Sequence, residues 1–276
     1  MSRSATLESR IIIDTTQQIG QGGTCYLFAA YDSSNPEKKY LAKQEKPDSP
    51  LKDSNGVSSI QNEHMFLSYL DHKKIPKSLG LKYQNSQEYL VIEFMPGETV
   101  NKLAGKLNEK QLVEYALQIA DILEYIHEKN MVHGDIKPEN IILNKQEQSE
   151  ICYLIDFGLA KYSGTEEENG TGTMGFAAPE QFTGRYYPQT DVFGLGITLK
   201  VLASGQNPPY IGWHWQKTQE VNSNISSNFA KIIDKCCHPD YCLRYQSITE
   251  LKEDLELLSK DTTSPPKNVP LTTPVN

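Results

Sequence analysis

The feature that most constrains this chain is the octapeptide His133-Gly134-Asp135-Ile136-Lys137-Pro138-Glu139-Asn140, followed by the apolar run Ile141-Ile142-Leu143 and, after a turn, by Asp156-Phe157-Gly158. Asp135 can accept a hydrogen bond from an incoming hydroxyl, and Lys137 places a positive charge two residues away. Asn140 and Asp156 are hard oxygen donors of the kind magnesium prefers. One amide and one carboxylate suffice when phosphate oxygens and waters complete the octahedron. Each fragment is common by chance, so its meaning depends on what precedes it.

Upstream, Gly20-Gln21-Gly22-Gly23-Thr24-Cys25-Tyr26-Leu27 joins two β-like runs. Glycines let a backbone approach an anionic ligand closely, because no Cβ intervenes and positive φ is allowed. Alone, such a segment is an ordinary turn. Lys43 lies on the next β-like run, within reach of α- and β-phosphates held beneath the loop. Glu63, on a predicted helix with Leu67 and Leu70 on the same face, is a partner able to hold that ammonium. In the order glycine loop, Lys43, Glu63, Asp135, Lys137, Asn140, Asp156, these groups point to transfer of a phosphoryl group from a magnesium-bound nucleotide to a hydroxyl.

The pattern along the chain predicts an α+β fold. Residues 10–19, 25–31, 39–44, 79–83 and 88–94 read as strands, with a helix over 59–70 between the third and fourth. Met95-Pro96-Gly97 breaks the pattern, and helices follow. Leu112, Ala116, Ile119, Leu123 and Ile126 keep helical spacing behind an Asn108 N-cap with Gln111 placed for a capping box. Val192, Leu195, Leu199 and Leu202 repeat that spacing, and Ser247 with Glu250 caps a last helix carrying Leu251, Leu255 and Leu258. The reading gives a nucleotide-covering lobe at 10–94, a catalytic and substrate-platform lobe at 95–260, and a Pro-rich linker or disordered tail at 261–276. With 276 residues and 38% hydrophobic content there is material for two packed parts.

A net charge of -8 argues against a nucleic acid partner. Five scattered cysteines, Cys25, Cys152, Cys236, Cys237 and Cys242, and a start without an apolar leader fit a reducing, cytoplasmic setting. No run approaches the roughly 18 apolar residues of a membrane helix, so no membrane segment is expected. Adjacent Cys236 and Cys237, with His238 and Cys242, fit zinc spacings poorly and read as packing thiols. Glu166-Glu167-Glu168 reads as a solvated loop able to repel acidic substrates.

From about Arg10 to Ser259 the chain resembles a eukaryotic-type (Hanks-type) serine/threonine protein kinase, in a style similar to the bacterial branch. Further landmarks are Gly172-Thr173-Met174-Gly175-Phe176-Ala177 leading into Ala178-Pro179-Glu180, then Asp191 and Arg244. The resemblance implies the two-lobed kinase fold, with a small mainly antiparallel β lobe carrying one helix and a larger mainly helical lobe. It implies ATP with Mg2+ (or Mn2+ in its place), protein substrates bearing Ser or Thr, and autophosphorylation. Ile19, Gly20, Gly22 and Leu27 should cover the nucleotide, with Ile92 as gatekeeper. The Glu93 carbonyl and Met95 amide should meet the adenine edge above Ile142. His133, Phe157 and Leu67 resemble the stack that ties the lobes together, Glu180 and Arg244 should form a buried ion pair, and Thr173 should support Asp135 and Lys137.

Three departures stand out. Alanine sits next to Lys43, as Ala42, where the family places it two residues before the lysine. Cys25 replaces the third glycine of the loop. Gly134 stands where kinases switched by activation-loop phosphorylation carry an arginine. Gly134 also raises a small-molecule kinase of the same fold as an alternative, although Lys137 and the Ala-Pro-Glu segment disfavour it. A pseudokinase scaffold is a third class, against which all the chemical residues are present. The oligomeric state is left open.

Overall fold

Alternating side chains near the start of the chain build an antiparallel meander of β1 (Ile11–Gln21), β2 (Cys25–Asp32) and β3 (Asn35–Glu45). β4 (Ser78–Gln84) and β5 (Gln87–Glu93) complete a five-stranded sheet in the order β1-β2-β3-β5-β4. The computed structural model describes residues 10–47, 49, 56–147, 149–209 and 216–263. Because successive residues of a strand point to opposite faces, Ile13, Phe28, Tyr40, Ala42 and Val91 make a small core on the outer face. Leu41 packs instead against the main interior cluster, paired in register with Ile92. Ala42 therefore belongs to the outer core, and Leu41 shares the face of Lys43.

α1 (Ser59–Ser68) lies against this sheet and ends two residues short of the predicted 59–70. Ser58 and Gln61 form a reciprocal capping box at its start, which fixes where the helix begins. Its buried residues include Glu63, Phe66 and Leu67, so an ionisable group is carried on an otherwise apolar face.

After β5 the chain enters the helical lobe through β6 (Glu98–Thr99). α2 (Glu109–Glu128) starts with both halves of the expected Asn108–Gln111 capping box and buries the expected stripe. β7 (Met131–Val132), β8 (Ile141–Lys145), β9 (Glu150–Leu154) and β10 (Lys161–Tyr162) are short: β8 pairs with β6 and β9, and β10 with β7. α3 (Pro188–Ser204) departs from expectation, since every residue from Thr190 to Ala203 is buried and not only the stripe at 192, 195, 199 and 202. It packs against α2 and α5 (Ser227–Cys236), and Thr198 reaches the catalytic loop at Ile136 O, as suits a helix buried on all sides whose polar groups find partners.

The short α4 (Thr218–Val221) precedes α5, and α6 (Ile248–Thr263) closes the described lobe. Ser247 Oγ accepts from Glu250 N at 3.2 Å, but the Glu250 carboxylate returns to Gln246 N at 3.0 Å, one residue before the expected partner. α6 runs past 261, and the rest of the expected linker, from 264 on, lies outside the described residues. Cys236 and Cys237 are fully buried against α3, where burial pushes both thiols up, Cys237 to about 12. They pack as expected. Among the described residues no helix is long and apolar enough to cross a membrane.

Candidate active site

β3 and α1 bring Lys43 and Glu63 together under the sheet. Lys43 Nζ donates to both Glu63 oxygens at 2.8 and 2.7 Å and to Asp156 Oδ1 at 3.0 Å. Burial opposes charge on Lys43, but the Asp156 and Glu63 carboxylates outweigh it and raise its pKa. Burial pushes the Glu63 carboxyl up while Lys43 pulls against it. Glu63 Oε1 also accepts Phe157 N at 3.3 Å, so the same carboxylate anchors the residue after Asp156. Asp156 takes a left-handed backbone at φ 68, a conformation non-glycine residues hold only when their surroundings impose it. Its carboxylate remains 39% exposed, and Lys43, helped by Lys137, holds its pKa below the ordinary value against the effect of burial.

Across the cleft, the Asp135 carboxylate is held by three donors. Thr173 Oγ1 donates to Oδ1 at 2.6 Å, while Lys137 Nζ and Asn140 Nδ2 donate to Oδ2 at 2.7 and 2.9 Å. Asn140 spends its second amide proton on Asp135 O at 2.8 Å, which leaves the carbonyl oxygen as the side chain's acceptor. Lys137 Nζ also donates to Thr173 Oγ1 at 2.7 Å. Ile155 N donates to Asn140 O at 2.9 Å and ties the strand leading to Asp156 to the loop carrying Asp135.

The loop itself hangs from α3. Asp191 accepts His133 N at 2.9 Å and Gly134 N at 2.8 Å, and its Oδ2 lies 2.8 Å from His127 Nε2. His133 is fully buried, and burial lowers its pKa. Its Nδ1 accepts Asp135 N at 3.2 Å, so in the neutral ring Nε2 donates to Ile155 O at 3.1 Å. Its ring meets that of Phe157 at 4.7 Å between centroids, and Leu67 lies in the same core. Glu180 and Arg244 form the expected buried pair through two parallel bonds of 2.7 and 2.8 Å.

The residues expected to wall the nucleotide lie on β1, β2 and the turn between them, on β5 and the chain that leaves it, and on β8. Gly20 pairs with Leu27, Gly22 N donates to Cys25 O at 2.8 Å, and Ile19 is 52% exposed. Lys46 Nζ bonds the carbonyl of Gly22 at 2.7 Å and so ties the loop to the end of β3. Cys25 is 7% exposed, with Sγ 3.8 Å from Ser59 Oγ; it turns inward toward α1, where burial raises its pKa. Ile92 is buried at the end of β5, with Glu93 and Met95 following. A Cβ on Gly97 would collide with Leu143 O and lie 2.9 Å from Ile142 Cγ2; only glycine lets the chain leaving β5 rest on β8 there.

The protein kinase domain model matches residues 13–255. The chain belongs to the protein kinase family. Its similar relatives include serine/threonine-protein kinase PknA of Nostoc sp., 31% identical over 93% of this chain and 48% of the relative. Serine/threonine-protein kinase B of Synechocystis sp. is 30% identical, covering 87% of this chain and 45% of the relative. Serine/threonine-protein kinase C of the same organism is 30% identical over 89% of this chain and 49% of its own length. The chain thus spans about half the length of these curated relatives.

Within this kinase domain, three features go beyond the sequence reading. Leu41, not Ala42, shares the sheet face of Lys43, and the period-two alternation from Lys43 was the available signal. Glu166 and Glu167 are not simply solvated: Glu167 pairs with Lys161 at 2.6 Å and Glu166 lies 3.5 Å from Arg185. Gln181, 2% exposed, bonds both the catalytic loop and the activation segment. Nothing in its local sequence marks it beyond its place after Glu180.

Proposed function

We propose that the chain transfers the γ-phosphate of ATP to serine or threonine hydroxyls of protein substrates. The observation that carries this reading is the Asp135 carboxylate, oriented by Thr173, Lys137 and Asn140 and facing a cleft whose other side holds Lys43 paired to Glu63. Asp135 accepts the hydrogen bond of the incoming hydroxyl and aligns its oxygen, so that proton and nucleophile are handled at one carboxylate. Lys137 neutralises charge on the moving phosphoryl group. Lys43 positions the α- and β-phosphates, kept charged and immobile by Glu63. The glycine loop, Leu41 and Ile142 exclude water above and below the purine, and the chain at Glu93 and Met95 offers polar backbone to its edge.

The donor set fits magnesium: Asn140 keeps its carbonyl oxygen, and Asp156 is an ionised, half-exposed carboxylate facing the same cleft. These two residues would hold the ion, which supplies charge neutralisation on the phosphates. A protein substrate is favoured over a small molecule because Ala178-Pro179-Glu180 is braced as a platform by Arg244 from below and by Thr190, whose Oγ1 donates to Glu180 Oε1 at 3.0 Å.

The test is incubation of the chain with γ-labelled ATP, magnesium and a mixture of whole-cell proteins, followed by mapping of labelled residues. Label on serine and threonine is expected. Label mainly on tyrosine or on a small molecule, or no turnover at all, contradicts the proposal.

A further inference from the structure

Gln181 joins three segments that the chemistry needs in register. Its Nε2 donates to Gly134 O at 2.8 Å, in the residue before Asp135, and to Thr171 O at 3.0 Å, two residues before Thr173. Its Oε1 accepts Ala178 N at 2.8 Å. Both amide protons and the oxygen are therefore committed, in a side chain 2% exposed. Thr171 is held a second time, since its N and Oγ1 lie 2.8 and 2.7 Å from the hydroxyl of Tyr186, itself fully buried.

Gly134 cannot make this connection itself. Its φ is +73°, and a Cβ there would lie 3.1 Å from Leu159 O, so the position favours glycine and contributes only its backbone. The backbone N of Gly134 is taken by Asp191 and its carbonyl by Gln181. On the other side of the segment, Glu167 pairs with Lys161 on β10, which pairs in turn with β7 immediately before His133. The segment is thus tied to the catalytic loop by a neutral amide and an internal carboxylate.

We propose that Gln181 is a positioning residue for phosphoryl transfer: its carboxamide sets the spacing between the backbone that aims Asp135 and the segment that carries Thr173. This rests on the reading of Asp135 given above. The specificity of the carboxamide is chemical. A glutamate of the same shape offers only acceptors when ionised, and would set a carboxylate against the carbonyls of Gly134 and Thr171. A methionine keeps the length and offers no strong polar group.

The experiment compares the parent chain with Q181E and Q181M, measuring transfer to a protein substrate, KM for ATP and direct nucleotide affinity. Both variants are expected to lose at least about thirtyfold in kcat, with KM and nucleotide affinity within about threefold, the split of an interaction that acts on the transfer step and not on ATP binding. The Q181E deficit is expected to narrow from pH 8 to pH 6 as the buried glutamate takes up a proton and regains one donor, whereas that of Q181M stays constant. A kcat within about threefold of the parent in Q181E overturns the inference while the parent's activity leaves the proposed function standing. So does a loss of nucleotide affinity as large as the loss of kcat, or a pH profile the same for both variants. A parent chain without transfer overturns both.

Discussion

Thr173 Oγ1 donates to Asp135 Oδ1 at 2.6 Å and accepts Lys137 Nζ at 2.7 Å, so one hydroxyl fixes both the carboxylate of Asp135 and the ammonium of Lys137. Hydrogen bonds to charged groups contribute about 1.5–3 kcal/mol. Thr173→Ala is therefore expected to lower kcat by about ten- to a hundredfold with KM for ATP nearly unchanged, and Thr173→Ser to restore most of it. Steady-state kinetics of the three forms checks this. An alanine variant as active as the parent would remove Thr173 from the account.

Glu63 holds Lys43 through both carboxylate oxygens and Phe157 through its backbone. Glu63→Gln keeps the size and removes the charge, leaving Asp156 as the nearest carboxylate to the ammonium. A rise of about tenfold in KM for ATP together with a fall in kcat is expected, because Lys43 is then drawn toward Asp156. Unchanged kinetics would show that the pair is dispensable.

Glu180 and Arg244 are buried, and Arg244 also donates to the carbonyls of His238, Gln189 and Pro239 at 2.6, 2.9 and 3.1 Å. Removing one member of a buried pair costs about 3–5 kcal/mol, whereas replacing both by apolar residues costs far less. For a chain this long Glu180→Leu should lower Tm by on the order of 10 °C. The double variant Glu180→Leu with Arg244→Met should recover part of that loss. Calorimetry decides it: a shift below about 2 °C for the single variant contradicts a structural role.

The activation segment is held by contacts among its own neighbours: Glu167 with Lys161, Glu166 near Arg185, and Thr171 with Tyr186. Phosphatase-treated chain is expected to keep transfer within about threefold of untreated chain, a barrier change under about 1 kcal/mol. Ser163→Ala with Thr165→Ala should behave likewise. A drop beyond about thirtyfold on phosphatase treatment, reversed by rephosphorylation, would show that a phosphate completes the site.

Much of this arrangement was legible before the fold was seen, and the reasons are local. Asn108 and Gln111 announce the start of α2 because capping needs only the first turn, and the order from the glycine loop to Asp156 carries its own chemistry. What was hidden depends on tertiary neighbours. The stripe on α3 gave no sign that its remaining faces are also covered, since burial of Thr198 and Lys200 requires polar partners supplied by Ile136 and Gln216. Glu167 looked like one charge in a solvated run until β10 brought Lys161 beside it. Gln181 lies 47 residues from Gly134 along the chain, and only the folded loop shows that its amide protons end there.

The central claim is that Asp135 acts on the hydroxyl and not on the nucleotide. The most direct measurement is transfer to a protein substrate and ATP affinity for the parent and Asp135→Asn, side by side. A loss of at least about a hundredfold in transfer, with ATP affinity within a few fold, is the expected result. Equal loss of both, or transfer undiminished in the variant, would contradict it.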